Sequence, residues 1–219
     1  MDNQQASENI RKLSINAVFG DGHLWKHPEC SNYKVIYTSI TPELLELKRS
    51  IAPEIFTTGV VPASVGAGKG RYANAKPLYR LASVVRPEFT EAKRAGKYEL
   101  VDTLTVDDVA LWYLDDGCFI KRSDGGSFRY FLCIGDTCNT EERERRFIKR
   151  MREITGLERV GAIRPNNSKA TVNNKNWVFN ADVARIVLPI SYQYGVLTRK
   201  FPEWVAASET IEQRSQDRT

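Results

Sequence analysis

Two stretches of this chain, SINAVFGDGHLW at residues 14–25 and VALWYLDDGCFI at residues 109–120, align without a gap. Placing Asp21 on Asp116 sets an offset of 95 residues, which matches Val18 with Tyr113, Phe19 with Leu114, Gly22 with Gly117 and Leu24 with Phe119. Each copy is an apolar run that closes on Asp-Gly. A unit written twice must satisfy the same local rules in both halves, so an assignment made in one copy is checked by the other.

The run before each Asp-Gly reads as a helix. Ile10, Leu13, Ala17 and Val18 recur at helical spacing, and Val106 to Leu114 is apolar and free of Gly and Pro. Thr105 with Asp108 three residues on forms a capping-box pattern, and Ser7 is the expected cap of the first helix. The glycine after each Asp is expected to end its helix by taking up a left-handed conformation. Strand-like pairs follow: HLWKH with YKVIYTSI in the first copy, CFIKR with FRYFLCIG in the second. A helix comes next in each, PELLELKRSI and ERERRFIKRMREI, then a second strand pair, 55–61 with 77–85 and 159–164 with 169–179. Short helices at 87–95 and 181–187 close the units. The expected class is α+β, two αββαββα repeats over 1–96 and 105–205, joined by a linker at 97–104 and trailed by a polar tail at 206–219.

Length and composition agree with this. The chain has 219 residues, 42% hydrophobic and 27% charged, enough to bury a core without metal or disulfide staples. Four cysteines without a CxxC pair read as reduced thiols, and the absence of a signal-peptide pattern and of a long apolar run points to a cytoplasmic or organellar protein with no membrane partner. His23, His27 and Cys30 could supply three zinc ligands but lack a clear fourth. With two histidines in all, catalysis would rest on carboxylates, lysines or a bound cation.

Lys+Arg 32 against Asp+Glu 27 leaves a surplus of +5 that leans toward a polyanion. Its placement is more informative. Lys69, Arg71, Lys76, Arg80 and Arg86 fall in an acid-free stretch, 64–87, and Arg159, Arg164, Lys169 and Lys175 fall in another, 159–181, at corresponding places in the two copies. Acids concentrate on helices, as at Glu141, Glu142 and Glu144. Basic, aromatic-bearing strands suit nucleic acid. GAGKG at 66–70 is not a P-loop, since Ala63 and Gly70 stand where that motif needs glycine and a hydroxyl.

GDG at 20–22 and ALWYLDDG at 110–117, each opening the same element order, resemble the paired signature helices of the LAGLIDADG homing endonucleases over roughly residues 8–204. Asn16 and Leu111 depart from it, standing where the name motif has glycine. The resemblance implies a monomer whose two signature helices pack side by side beneath a saddle of antiparallel sheets that straddles a long, asymmetric duplex target. It implies catalysis by Asp21 and Asp116 with Mg²⁺ or another divalent cation such as Mn²⁺, Gly20 and Asp115 completing the metal set. Lys97 and Lys200 are the implied catalytic lysines. The product would be a double-strand break with short 3′ overhangs. DNA contact is expected from His23, Trp25, Lys34, Lys69, Arg71, Lys76, Arg80, Lys121, Arg129, Arg164, Lys169, Lys175 and Trp177, and interhelix packing from Trp112 and Tyr113. The alternative is a cleavage-inactive binder on the same scaffold, an intron RNA maturase or a DNA-binding regulator, with intron RNA as partner.

Overall fold

Thr105 opens its helix as its sequence requires. In the computed structural model its hydroxyl accepts from the Asp108 amide at 3.2 Å while the Asp108 carboxylate accepts from the Thr105 amide at 2.8 Å, so two otherwise orphaned helix donors are satisfied. The structure describes residues 3–63, 77–124, 127–136, 141–165, 175–197, 200, 201 and 205, and side chains within 120–136, 162–165 and 175–176 fall outside the description. The chain divides into two compact units, Met1–Leu100 and Val101–Thr219.

The first unit runs α1 (Asn3–Phe19), β1 (Gly22–Trp25), β2 (Lys34–Ser39), α2 (Pro42–Ile51), β3 (Val61–Pro62), β4 (Tyr79–Ala82) and α3 (Pro87–Leu100). Its antiparallel sheet has the order β1-β2-β4-β3. Ser7 lies inside α1 rather than capping it, because the helix already runs from Asn3. The expected strand at 55–61 begins instead as a 3-10 turn, Pro53–Ile55, with Ile55 buried. Proline pre-sets a helical φ there and has no amide to give a ladder. α3 passes through a break at Gly96 (φ 63°, ψ −177°) and continues to Leu100.

Alternation sorts the sheet into two faces. Leu24, Val35, Tyr37 and Leu81 are buried on one, with Leu24 opposite Val35 and Tyr37 opposite Leu81. Tyr37 also donates to the Leu13 carbonyl of α1 at 2.9 Å. The ammonium of Lys48 on α2, itself only 1% exposed, lies 4.0 Å from the Tyr37 ring centroid. His23, Trp25, Lys34, Ile36, Thr38 and Arg80 have the opposite parity, and His23, Trp25, Thr38 and Arg80 are exposed.

The second unit repeats the order: α4 (Val106–Asp116), β5 (Gly117–Asp124), β6 (Ser127–Asp136), α5 (Glu141–Thr155), β7 (Gly161–Pro165), β8 (Lys175–Phe179) and α6 (Ala181–Gln193). Its sheet order, β5-β6-β8-β7, is that of the first unit. The αββαββα pattern expected from the duplicated motif is therefore present in each half. α4 is buried on every side from Asp108 to Leu114, as befits an interior helix. α6 extends beyond Val187 because Val183, Ala184, Val187, Leu188 and Ser191 continue its buried stripe, and the Ser191 hydroxyl donates toward the Ala110 carbonyl of α4 at 3.0 Å. A 3-10 turn, Val101–Thr103, precedes α4. Arg146 of α5 bonds to Asp102 there and holds its carboxyl below the usual range, but the pair is largely solvated and contributes little to stability. Among the described residues no helix is long and apolar enough to cross a membrane.

Candidate active site

Each signature helix runs into a strand almost without a loop. Both strands start directly after the aspartate, β1 at Gly22 and β5 at Gly117, with α4 ending on Asp116 and α1 ending at Phe19, two residues before Asp21. Both aspartates are exposed at the C-terminal end of a helix whose preceding residues are buried. The following glycines are needed, but not for a left-handed turn. Gly117 is extended (φ −75°, ψ 151°), and neither it nor Gly22 is among the glycines with positive φ. A Cβ on Gly22 would lie 2.4 Å from the Ala17 Cα, and one on Gly117 would lie 1.9 Å from the Tyr113 ring. The strand backbone passes directly over the last helical turn, and only glycine leaves it room. The expectation of a left-handed stop is thus corrected: close approach selects these glycines.

In the first unit the Gly20 amide donates to the Asn16 carbonyl at 2.8 Å, completing the final turn before Asp21. The break at Gly96 redirects α3 so that the Lys97 ammonium comes within 5.9 Å of the Phe19 ring centroid, beside the end of α1. A cavity of about 220 Å³ lies there, lined by Ala17, Val18, Gly22, His23, Leu24, Ala92, Lys93 and Gly96.

In the second unit a lysine ammonium binds the helix end directly. The Lys200 ammonium donates to the Leu114 and Asp115 carbonyls at 2.7 and 3.0 Å, and the Gly117 amide donates to the Tyr113 carbonyl. Terminal carbonyls of a helix have no amide partner within it, and a cation suits the negative end of its dipole. Tyr113 in turn donates from its hydroxyl to the Lys200 carbonyl at 2.6 Å, and its ring meets Phe201 edge-on at 5.6 Å. Each predicted lysine therefore stands beside the signature helix of its own unit. Lys200→Met is expected to lower the stability of the second unit by about 1 kcal/mol, the net worth of hydrogen bonds from a charged donor to partly solvated carbonyls. An unchanged denaturation midpoint would show that the ammonium does not hold the helix end.

Trp112 was expected to pack, and it does, at 1% exposure; its indole also donates to Asp116 Oδ2 at 3.1 Å. Residues 112 and 116 are four apart on one helix, a spacing from which this contact could have been read.

The other predicted residues divide by strand parity. His23, Trp25, Lys34 and Arg80 share the sheet face opposite the buried one. There the Lys34 ammonium sits 4.7 Å from the Trp25 ring centroid, and His27 meets that ring edge-on at 5.7 Å. Trp177 does not belong to such a face. It is 3% exposed, with its ring centroid 4.1 Å from that of Phe147 on α5 and with Phe179, two residues on, buried on the same side. A one-residue step in register separates core from solvent in a strand, and the indole is on the core side. Lys121, Arg129, Arg164 and Lys175 occupy strand positions paired with Tyr130, Arg122, Asn176 and Pro165, but their side chains are outside the description. Lys69, Arg71, Lys76, Lys169 and the GAGKG segment lie outside the described residues.

The donors at the two helix ends are carboxylate and main-chain carbonyl oxygens, hard ligands of the kind Mg²⁺ and Mn²⁺ prefer, at the negative ends of two helices. Asp115 offers its carbonyl to Lys200 in this structure. His23, His27 and Cys30 do not form a ligand cluster, and among the described residues no three His, Cys, Asp or Glu side chains gather.

No family model and no curated protein sequence matches the chain. Solved structures do. The homing endonuclease I-WcaI bound to its DNA recognition sequence aligns over 88% of this chain and 84% of its own, at 14% identity and a TM-score of 0.67. The LAGLIDADG homing endonuclease I-GzeII in complex with its DNA target aligns over 94% and 91%, at 9% identity and a TM-score of 0.49. I-DmoI in complex with DNA and Mn aligns over 82% and 96%, at 13% identity and a TM-score of 0.48. The chain has the homing-endonuclease fold, and the first match carries that conclusion.

Proposed function

We propose that this chain, built on the homing-endonuclease fold, is a site-specific, divalent-metal-dependent endonuclease of LAGLIDADG type that cuts both strands of a long, asymmetric DNA target. The observation that carries the reading is the repeated junction: in each unit an exposed aspartate stands at or just past the buried last turns of a helix, directly before a strand, and has a lysine brought to the same helix end from a distant part of the chain. One carboxylate per unit suits one scissile phosphate per strand.

A bound divalent cation would neutralise the phosphate and lower the pKa of an attacking water. The chain's own groups do the rest. Asp21 and Asp116 hold the cation site and, as anions, accept hydrogen bonds from the water. Lys97 and Lys200 add positive charge where negative charge grows on the phosphate oxygens. Water attacks phosphorus, the bond to the 3′ oxygen breaks, and that oxygen takes up a proton. His23, Trp25, Lys34 and Arg80 supply a groove-facing surface on the first sheet, with base contacts from side chains at alternate positions. We place this activity in a DNA-containing compartment, the cytoplasm or an organellar nucleoid, and assign the working form as a monomer.

The test is cleavage, in Mg²⁺, of a plasmid carrying the uninterrupted sequence of the locus that encodes the chain. Linear product with short 3′ overhangs is expected. Tight duplex binding without any cut would favour the regulator, and preference for intron RNA over duplex would favour the maturase. Binding should also weaken steeply with salt. The logarithm of the affinity falls by roughly 0.9 per phosphate contact for each decade of salt, so a slope of about −5 or steeper is expected. A slope shallower than about −2 would remove the basic sheet as the DNA surface.

A further inference from the structure

We infer that Trp112 is a positioning residue for the Asp116 carboxylate, through an indole contact that has no counterpart at Ala17 in the first copy. Its consequence for cleavage rests on the endonuclease reading above. A buried indole must place its single N–H donor, and Trp112 places it on Asp116 Oδ2 at 3.1 Å. The ring is not free to swing. It meets Phe147 edge-on at 5.8 Å, and Phe147 lies 4.1 Å from Trp177 and 5.8 Å from Phe179, centroid to centroid. The donor is thus fixed to β8 of the sheet through a layer of aromatic rings. An aspartate at the last position of a helix has two side-chain torsions to settle. A hydrogen bond to one oxygen narrows them and sets the direction of the carboxylate.

The first copy cannot repeat the device. At the 95-residue offset the residue matching Trp112 is Ala17, which has no side-chain donor. There the strand crosses close over Ala17, whose Cα, Cβ and carbonyl oxygen all lie within 3.0 Å of the point where a Gly22 Cβ would sit. In the second copy the strand crosses over Tyr113 instead, which leaves position 112 open to an indole. An indole four residues before the aspartate is therefore a feature of the second copy alone.

Trp112→Phe retains an aromatic ring for the contact with Phe147 and deletes the N–H. In single-turnover cleavage of the uninterrupted locus, the strand served by Asp116 should be cut about tenfold more slowly, the range expected for losing a hydrogen bond to a charged group. The other strand should keep its rate, nicked circles should accumulate, and duplex affinity should be unchanged. A purely structural role would lower duplex binding or slow both strands. Equal slowing of both strands, or none, would overturn the inference. A second measurement does not need cleavage: in the full metal-free chain the Trp112 Nε1–H resonance should move in Asp116→Ala and stay in place in Asp21→Ala. An unmoved resonance in Asp116→Ala overturns the inference, including where Trp112→Phe fails to fold. If the unaltered chain cuts no duplex, the endonuclease reading falls, and the resonance alone decides whether the indole holds the carboxylate.

Discussion

Asp21→Asn and Asp116→Asn should each abolish double-strand cleavage in Mg²⁺ while leaving duplex binding near its original strength. The substitution keeps the size of the side chain and its capacity to accept a hydrogen bond, so the helix-to-strand junction is undisturbed. It removes the negative charge on which cation binding depends. A loss of about a thousandfold in the rate at the affected strand, roughly 4 kcal/mol of transition-state stabilisation, is the expected scale. Each variant should leave at most a nick, because the other aspartate still serves the second strand. Linear product formed by either variant at the original rate would show that the carboxylate is a helix-end residue and nothing more. Loss of duplex binding together with cleavage would instead assign it to folding.

The second large effect is on stability. Gly117→Ala would put a Cβ 1.9 Å from the Tyr113 ring. That ring has no room to retreat, since Tyr113 is fully buried, bonded through its hydroxyl to the Lys200 carbonyl, and packed edge-on against Phe201. Overpacking of this kind costs about 2–3 kcal/mol, read as a lowered denaturant midpoint. Gly22→Ala should cost at least as much, because its nearest obstacle is the backbone of Ala17 and no side chain can give way. Gly59→Ala is the control, with nothing within 4 Å of the added methyl and a φ outside the positive range. Midpoints for Gly117→Ala and Gly59→Ala that agree would refute the close crossing of strand over helix.

Local rules made much of the fold readable. The Thr105 cap, the order αββαββα and the hairpins after each Asp-Gly all follow from residues within a few positions of one another. Helix boundaries shifted where packing extended a pattern, as in α6, whose buried stripe continues to Ser191. The strand faces were readable only in part. In the first unit, His23, Trp25 and Lys34 share one face by register, a fact the alternation of the strand makes readable once its register is known. In the second unit, Trp177 went to the core. A Trp between Asn176 and Val178 carries no local mark of its face, and the decision falls to Phe147, thirty residues away on another element. Lys48 gave no signal at all: a lysine at 1% exposure is tolerable because its ammonium faces the Tyr37 ring, a cation–π contact set by tertiary packing.

The site shows the same division. Duplication marked Asp21 and Asp116, and the segments around Lys97 and Lys200 were singled out by resemblance. What sequence by itself determined is the repeated unit and its two carboxylates, because periodicity, capping and an internal offset are properties of neighbours along the chain. Tertiary structure alone decided that Gly22 and Gly117 are there for close approach rather than a left-handed turn, that Lys200 reaches the carbonyls of α4, and that an indole holds Asp116 where an alanine lies under the first strand. These depend on where distant backbones cross, and a distance of a few tenths of an ångström between two segments is not written in either one.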